Sequence, residues 1–171
     1  MKNNINKNID ANKKVEKLVS ILMLIVAVVI IVFRITADPF KCKVSGNSMY
    51  PTYEDGDVIY ANRVKNIDLE RFDVVIVNTL TLKHRIIIKR IVGLPGDSVK
   101  IDELGKVYVN GKELTDYYQY AAEIIDEPFE EIVLGEDEYF VMGDNVNNSL
   151  DSRFLDIGVI DKNKIIGILK N

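Results

Sequence analysis

The longest uninterrupted apolar segment of the chain lies near its N-terminus. Residues 18–33 read LVSILMLIVAVVIIVF and contain no charged side chain. Extended to residues 15–37, the segment reaches the roughly 20 residues that a helix needs to span a bilayer. A buried core helix would show a polar stripe, and a cleavable signal peptide would have a shorter apolar part before a small-residue site, of which ITADPF is a weak version. We therefore predict a transmembrane helix over residues 15–37.

After residue 38 the apolar positions come in short runs and follow no helical period. The runs are rich in Val and Ile and are separated by Gly, Asp and Pro, which is typical of strands and turns. Asn110-Gly111, between KVYV and KEL, predicts a two-residue hairpin turn of type I′. The pattern predicts a mainly β fold, a compact antiparallel β-sheet domain over residues 38–171. The predicted strands lie at 57–62, 73–78, 84–93, 98–101, 106–114, 138–144 and 164–169.

Two stretches show neither pattern. Residues 1–14 are polar and rich in Asn and Lys, a composition that predicts a disordered tail. Residues 116–137 are acidic and irregular, and we interpret them as a loop with a short helix on a solvated face.

The charge is divided unevenly between the two sides of the apolar segment. Residues 1–17 carry five lysines and two acidic residues, whereas residues 38–171 carry 16 Lys and Arg against 24 Asp and Glu. A nucleic-acid-binding domain is expected to be basic, so the acidic domain excludes a nucleic-acid partner. The lysines before the apolar segment predict a cytoplasmic N-terminus and a domain outside the membrane.

Cysteine and histidine occur once each, as Cys42 and His84. One cysteine excludes an internal disulfide, and the pair is too few for a Cys/His zinc site. A sortase-like cysteine enzyme would need a histidine before its cysteine, and here the order is reversed. The polar stretch MGDNVNNSLDSR, residues 142–153, lacks the ligand spacing of a calcium loop. We therefore predict neither a metal ion nor a cofactor.

A serine in a turn is the first candidate for chemistry. Ser48 lies within SGNSMYPT, residues 45–52. The nucleophile-elbow pattern G-x-S-x-G fails because Tyr50 stands where the second glycine belongs. The serine–x–x–lysine pattern fails because Pro51 stands three residues after the serine. Ser48 therefore needs a base from elsewhere in the chain.

Lys89 is a candidate for that base. It lies within IKRIVGLPGD, residues 88–97, after one of the most apolar runs of the chain. Lysine is rarely buried without a reason, and burial lowers its pKa and favours the neutral amine that accepts a proton. Taken alone, Lys89 is better explained by an edge strand that turns its ammonium towards water.

Together these stretches resemble the type I signal peptidases, the membrane serine proteases of peptidase family S26 that remove signal peptides from exported proteins. SMYPT, DGDVI, KRIVGLPGD and GDNVNNSLDSR resemble the four family boxes in the family's order, and the N-terminal anchor agrees. The resemblance covers most of residues 43–100 and 138–158. It implies a signal-peptidase-type catalytic β-domain. The implied form is bacterial, because Lys89 stands where the eukaryotic branch has histidine, and Gram-positive-like, because Gly46 matches that branch.

The resemblance also implies roles for individual residues. Ser48 matches the nucleophile, Lys89 the general base, and Ser149 the serine whose hydroxyl orients the lysine amine. Gly46 stands where some relatives have a serine that helps the oxyanion hole, so the backbone N–H of Ser48 has to contribute more. Residues that hold the site together by ion pairs and hydrogen bonds match Asp144, Asp151, Arg90 and Arg153.

The implied partners are preproteins that carry signal peptides, and a lipid bilayer crossed once by the N-terminal helix. The substrate is expected to bind as an extended strand, with small side chains before the cut. Two alternatives remain open. One is a soluble serine–lysine protease of the self-cleaving repressor type, which the apolar segment argues against. The other is a non-catalytic, membrane-anchored β-domain that binds an extracytoplasmic partner.

Overall fold

The computed structural model describes residues 2–36, 39–64, 68–79, 86–120 and 128–169, with the side chains of the first segment described over residues 13–32. It divides the chain into two units, Met1–Asp38 and Pro39–Asn171. His84 and part of the acidic stretch 116–137 lie outside the described residues.

The first unit is one helix, α1, over Lys2–Thr36. Its stretch Lys13–Val32 is 20 residues long with a mean hydropathy of 2.8, which is long and apolar enough to cross a membrane. The helix begins at Lys2, although the sequence predicts a disordered tail over residues 1–14. That tail contains no Pro or Gly, and extending an existing helix costs far less than starting one.

The described residues of the second unit form eleven strands, and the predicted mainly β fold is confirmed. Three strands were not predicted: β1 and β8, which carry charged side chains at alternate or consecutive positions, and β10, which is only two residues long. The strands are β1 Phe40–Lys43, β2 Val58–Arg63, β3 Val74–Asn78, β4 Ile86–Gly93, β5 Ser98–Ile101, β6 Val107–Val109, β7 Lys112–Glu113, β8 Phe129–Val133, β9 Glu138–Met142, β10 Ile160–Asp161 and β11 Ile165–Leu169.

Seven of these strands form one antiparallel sheet in the order β1-β2-β11-β3-β4-β9-β10. Strands β3 and β4 lie inside it, and their apolar runs are buried as expected for interior strands. Register pairs Val75 with Lys89 and Val74 with Arg90, so neighbouring positions of β4 point to opposite faces of the sheet.

The other four strands form a second antiparallel sheet in the order β7-β6-β5-β8. Asn110 and Gly111 have positive φ angles of 53° and 73°, as a type I′ hairpin turn requires, so this predicted turn is confirmed. Buried side chains of this sheet, among them Val99 and Val107, share one hydrophobic cluster with Phe140 and Met142 of β9. The shared cluster packs the small sheet against the strand that leads into residues 143–153.

Candidate active site

Ser48 lies in the connection between β1 and β2, which hydrogen bonds hold in place from both ends. Val44 donates its N–H to Asp57 O, and Gly56 donates to Val44 O. The turn begins at Gly46, whose φ of +84° favours glycine, and the buried Met49 side chain ties the turn to the core. The serine is therefore presented by a turn whose next residue is fixed by packing.

Lys89 reaches Ser48 from β4, a strand inside the seven-stranded sheet. Its side chain is 3% exposed, and its Nζ lies 2.8 Å from Ser48 Oγ and 2.9 Å from the carbonyl oxygen of Ile88. The edge-strand alternative for Lys89 is therefore wrong, because β4 is paired on both sides and this side chain points inward.

Burial lowers the pKa of Lys89 from 10.5 to about 8. Removing an ammonium from water is costly, so the low-dielectric surroundings favour the neutral amine. Asp151 and Asp144 act in the opposite direction and raise the pKa of Lys89, while Arg153 lowers it. The value of about 8 is thus a balance between desolvation and the charges of these three neighbours.

Arg90 and Asp144 form a buried, two-pronged ion pair behind the serine. The Arg90 Nε and Nη2 atoms donate to the two carboxylate oxygens of Asp144 over 2.8 and 2.6 Å. Thr52, four residues after Ser48, donates its hydroxyl to the same carboxylate. The guanidinium also donates to Phe72 O and stacks 3.8 Å from the centre of the Tyr120 ring. The pair thereby joins the serine turn, β4 and the polar segment after β9.

A second ion pair holds the polar segment 143–153 together. Arg153 Nε donates to Asp151 Oδ1 over 2.8 Å, and Arg153 Nη2 donates to the carbonyl of Val146 over 2.6 Å. The other oxygen of Asp151 accepts the backbone N–H of Gly143 over 3.0 Å. Asp151 has no exposed surface, so both of its oxygens are used within the loop.

Ser149 is buried near the serine and lysine, but its hydroxyl is arranged differently from the role that the resemblance implies. Its side chain is 7% exposed, and Oγ finds no hydrogen-bond partner among the described residues. The hydrogen bond from Ser149 to the Lys89 amine is therefore not formed here. An unpaired buried hydroxyl is costly, which makes Ser149 Oγ a ready partner for a water molecule or for substrate.

Two further residues shape the site and were not identified from the sequence. A Cβ atom on Gly143 would collide with Ser149 Oγ and with the carbonyl oxygen of Ser48, so only glycine allows this approach. Tyr117 is fully buried and donates its hydroxyl to Gly143 O over 2.7 Å. Gly143 stands in the polar stretch that carried the resemblance, whereas no sequence pattern connects Tyr117 to it.

A groove of about 710 Å³ opens beside Ser48 and Lys89. Its walls are mostly apolar, and its floor carries the serine and the lysine amine. The apolar part of the lining comes from Cys42, Val44, Met49, Ile76, Ile86, Ile87, Ile88, Leu150 and Phe154. The described residues contain no group of three His, Cys, Asp or Glu side chains placed to hold a metal ion. The arrangement suits a nucleophile and a base acting on an extended chain of small or apolar residues.

Comparison with protein families and known structures agrees with this arrangement. Residues 15–170 match the sequence model of a family described as signal peptidase, peptidase S26. The chain is 33% identical over 159 residues to a signal peptidase I of Bacillus amyloliquefaciens, with 87% of this chain and 80% of that protein covered. It is 30% identical over 175 residues to signal peptidase I S of Bacillus subtilis (strain 168), with 96% and 91% covered.

A solved structure is also similar to this chain. It is the crystal structure of a signal peptidase I from Enterococcus faecalis V583, 26% identical in sequence, with a TM-score of 0.51. The similarity covers 62% of this chain and the whole of that one.

Proposed function

The chain belongs to the signal peptidase family, peptidase S26, and from this membership we propose that it is a membrane-anchored serine endopeptidase with Ser48 as nucleophile and Lys89 as general base. Its substrates are preproteins that carry N-terminal signal peptides, and its product is the mature protein. The 2.8 Å distance between Lys89 Nζ and Ser48 Oγ carries the proposal. That contact, inside a groove able to take a peptide, joins two residues 41 positions apart.

The protonation of Lys89 supports its role as a base. With a pKa of about 8, about one molecule in ten has a neutral Lys89 at pH 7, whereas a free lysine with a pKa of 10.5 would be neutral in only about one in three thousand. The neutral amine has a lone pair to accept the proton of the Ser48 hydroxyl. Burial therefore supplies roughly a 300-fold increase in the competent form.

The reaction follows from these positions. Ser48 Oγ attacks the scissile carbonyl carbon, and its proton passes to Lys89 Nζ. The backbone N–H of Ser48 stabilises the oxyanion, an effect typically worth several kcal/mol per donor. The Lys89 ammonium then protonates the leaving amine as the C–N bond breaks, which leaves the signal peptide as an ester on Ser48. A water molecule activated by the neutral Lys89 hydrolyses the ester and restores the serine.

The supporting residues have assigned roles in this proposal. Asp144 with Arg90, and Asp151 with Arg153, hold the serine turn, β4 and the segment 143–153 in register. Ser149 contributes its free hydroxyl to the lysine amine or to the hydrolytic water when substrate is bound. Gly46 is a turn former and no donor to the oxyanion, because its N–H is taken by Asp55 Oδ1 over 2.8 Å.

The membrane assignment rests on α1. Its apolar stretch Lys13–Val32 crosses the bilayer once, with residues 1–14 in the cytoplasm and the catalytic unit after residue 38 outside. This arrangement matches the substrate, because the cut site of a translocating preprotein emerges on the outer side of the membrane. A membrane-impermeant thiol reagent tests it in intact cells. In a Cys42→Ala background, Lys112→Cys should react with the reagent and Lys7→Cys should not.

The catalytic proposal is tested with the full chain in lipid vesicles and a preprotein whose cut site is mapped by mass spectrometry. Ser48→Ala and Lys89→Ala should each lose cleavage by at least about 1,000-fold, since a triad or dyad member typically supplies that much or more. Ser98→Ala and Lys100→Ala, both on β5 and outside the groove, are the matched controls, and His84→Ala should also keep activity. Near-normal cleavage by Ser48→Ala would refute the assignment of Ser48 as nucleophile, whereas a wild type that cleaves no preprotein would favour the non-catalytic, partner-binding domain.

A further inference from the structure

We propose that the cavity bounded by Asn47, Tyr50, Glu54, Asp55 and Asn145 binds the first residues of the mature part of the substrate, and that Glu54 gives this subsite a preference for positive charge. The inference deepens the proposed function and rests on it. We refer to these five residues as the leaving-side cavity.

The position of the apolar groove determines where the rest of the substrate has to go. Signal peptides end in small, apolar residues before the cut, and the groove beside Ser48 has matching apolar walls. The part of the substrate before the cut therefore occupies this groove. An extended chain advances about 3.3 Å per residue, so one or two residues after the scissile bond already lie beyond the serine on the other side.

The leaving-side cavity is a second opening beside the serine turn, and we assign it to the part of the substrate after the scissile bond. Its volume is about 380 Å³, and Asn47, the residue before Ser48, lies in the walls of both openings. Asn145 donates its N–H to the carbonyl oxygen of Ser48 over 3.1 Å, and Tyr50 donates to the carbonyl of Asn47. Two residues of the cavity wall are thus hydrogen-bonded to the backbone of Ser48 and of the residue before it, which places the cavity next to the nucleophile.

The two openings differ in chemistry. The groove is lined by apolar side chains together with amides, hydroxyls and lysines, and no carboxylate is among its described lining residues, whereas two of the five side chains of the leaving-side cavity are carboxylates. One carboxylate oxygen of Asp55 accepts the N–H of Gly46, so Asp55 stabilises the serine turn. The Glu54 side chain is exposed and forms no hydrogen bond or ion pair within the described part of the chain. Its backbone N–H donates to the Asp57 carboxylate, and its backbone carbonyl accepts the N–H of Asp57. Glu54 is therefore the charge most available to a substrate.

The ligand that fits such a wall is a cationic side chain, Lys or Arg, at the first or second residue of the mature protein. The two ends of the substrate are then recognised by different forces. Apolar burial selects the signal-peptide end, and an exposed charge selects the mature end. Exposed ion pairs contribute little, so the preference is a modest one of about two- to five-fold in kcat/KM.

The test is a charge swap on both sides of the contact. Three preproteins that differ only in Lys, Gln or Glu at the second mature residue are cleaved by the full-length enzyme in vesicles at low salt. The wild type should rank them Lys, Gln, Glu. Glu54→Gln should flatten the order, and Glu54→Lys should reverse it. Glu136→Lys makes the same change of charge at an exposed turn before β9, outside the leaving-side cavity, and should keep the wild-type order.

The outcomes separate this inference from the proposed function. If Ser48→Ala cleaves all three substrates, the catalytic proposal is wrong, and the subsite inference that rests on it is wrong as well. If cleavage depends on Ser48 but Glu54→Lys and Glu136→Lys give the same order as the wild type, the subsite assignment alone is wrong. A Lys preference that disappears in 0.5 M salt supports the exposed-charge origin, because the screening length then falls to about 4 Å. A preference that survives unchanged in high salt contradicts it.

Discussion

Replacing Lys89 with Met should make the protein more stable while abolishing its activity. Lys89 is 3% exposed, and burial lowers its pKa from 10.5 to about 8. A depressed lysine pKa means that the folded state binds the proton less tightly than the unfolded chain. Between pH 8 and 10.5 the unfolded chain carries more protons, so stability rises with pH in that window. Below pH 8 the folded protein bears the full cost of the buried ammonium.

The size of the effect follows from the shift. A difference of 2.5 between 10.5 and about 8 corresponds to about 3 kcal/mol of destabilisation below pH 8. Methionine has a similar length and no charge, so it removes this cost. It also removes the hydrogen bonds of Nζ to Ser48 Oγ and to Ile88 O, together worth about 1–2 kcal/mol. We expect a net stabilisation of about 1–2 kcal/mol at pH 7, or about 4–8 °C in Tm for a domain of this size.

The measurement is calorimetric unfolding of the full chain in detergent micelles at pH 7 and again at pH 10.5. The advantage of Lys89→Met over the wild type should be largest at pH 7 and should shrink at pH 10.5, where Lys89 is neutral in the folded state. Lys100→Met, at an exposed position of β5, is the control and should change Tm little at either pH. A lower Tm for Lys89→Met at pH 7, or a gain of equal size at both pH values, would refute the reasoning.

Three further outcomes are expected. For the wild type, kcat/KM should rise with pH to a plateau above a midpoint near pH 8, because the competent Lys89 is the neutral one; a profile already flat from pH 6 upward would contradict this. Arg153→Gln should move that midpoint to higher pH, since it removes a cation that lowers the pKa of Lys89 and frees Asp151 to raise it; an unchanged midpoint in a folded variant counts against the role. Gly143→Ala should lower both the activity and, by several °C, the Tm, because the new Cβ collides with the Ser48 carbonyl oxygen. Gly135→Ala meets only the flexible Glu138 side chain, so it should leave cleavage and Tm nearly unchanged.

The strands that could be predicted from the sequence are those with an uninterrupted Val and Ile run or a strong turn signal. Strands β3 and β4 and the hairpin at Asn110-Gly111 belong to this group. Burial inside a sheet favours Val and Ile, and positive φ angles favour Asn and Gly, so both features can be recognised in the sequence. Strand β8, FEEIV, was interpreted as part of an acidic solvated segment. Its glutamates do face solvent, while Phe129 and Ile132 pack against the core of the small sheet. The acidic composition of the whole segment does not reveal these two buried positions.

The site could be predicted only where the sequence motifs carried it. The contact between Ser48 and Lys89 joins residues on separate elements, and no local period indicates such a pairing. Taken alone, the sequence around Lys89 favours a solvated edge strand, and only the order of the strands shows that β4 lies inside the sheet. Tyr117 stayed unidentified for the same reason, because its partner Gly143 lies 26 residues later and the sharing of one core by both sheets brings them together.

The charges around Lys89 form two ion pairs, Arg90 with Asp144 and Arg153 with Asp151, and a single charge from either pair would disturb the site. Asp144 and Asp151 raise the pKa of Lys89, and left without partners they would raise it further and would themselves be buried charges of high cost. Arg90 and Arg153 each engage one of them, so the neutral amine remains accessible. When the amine takes the proton of Ser48 in the proposed reaction, the same two carboxylates favour the new ammonium. A buried ion pair adds little to stability in most proteins, so two of them beside one lysine are better explained by the need to keep its two protonation states close in free energy.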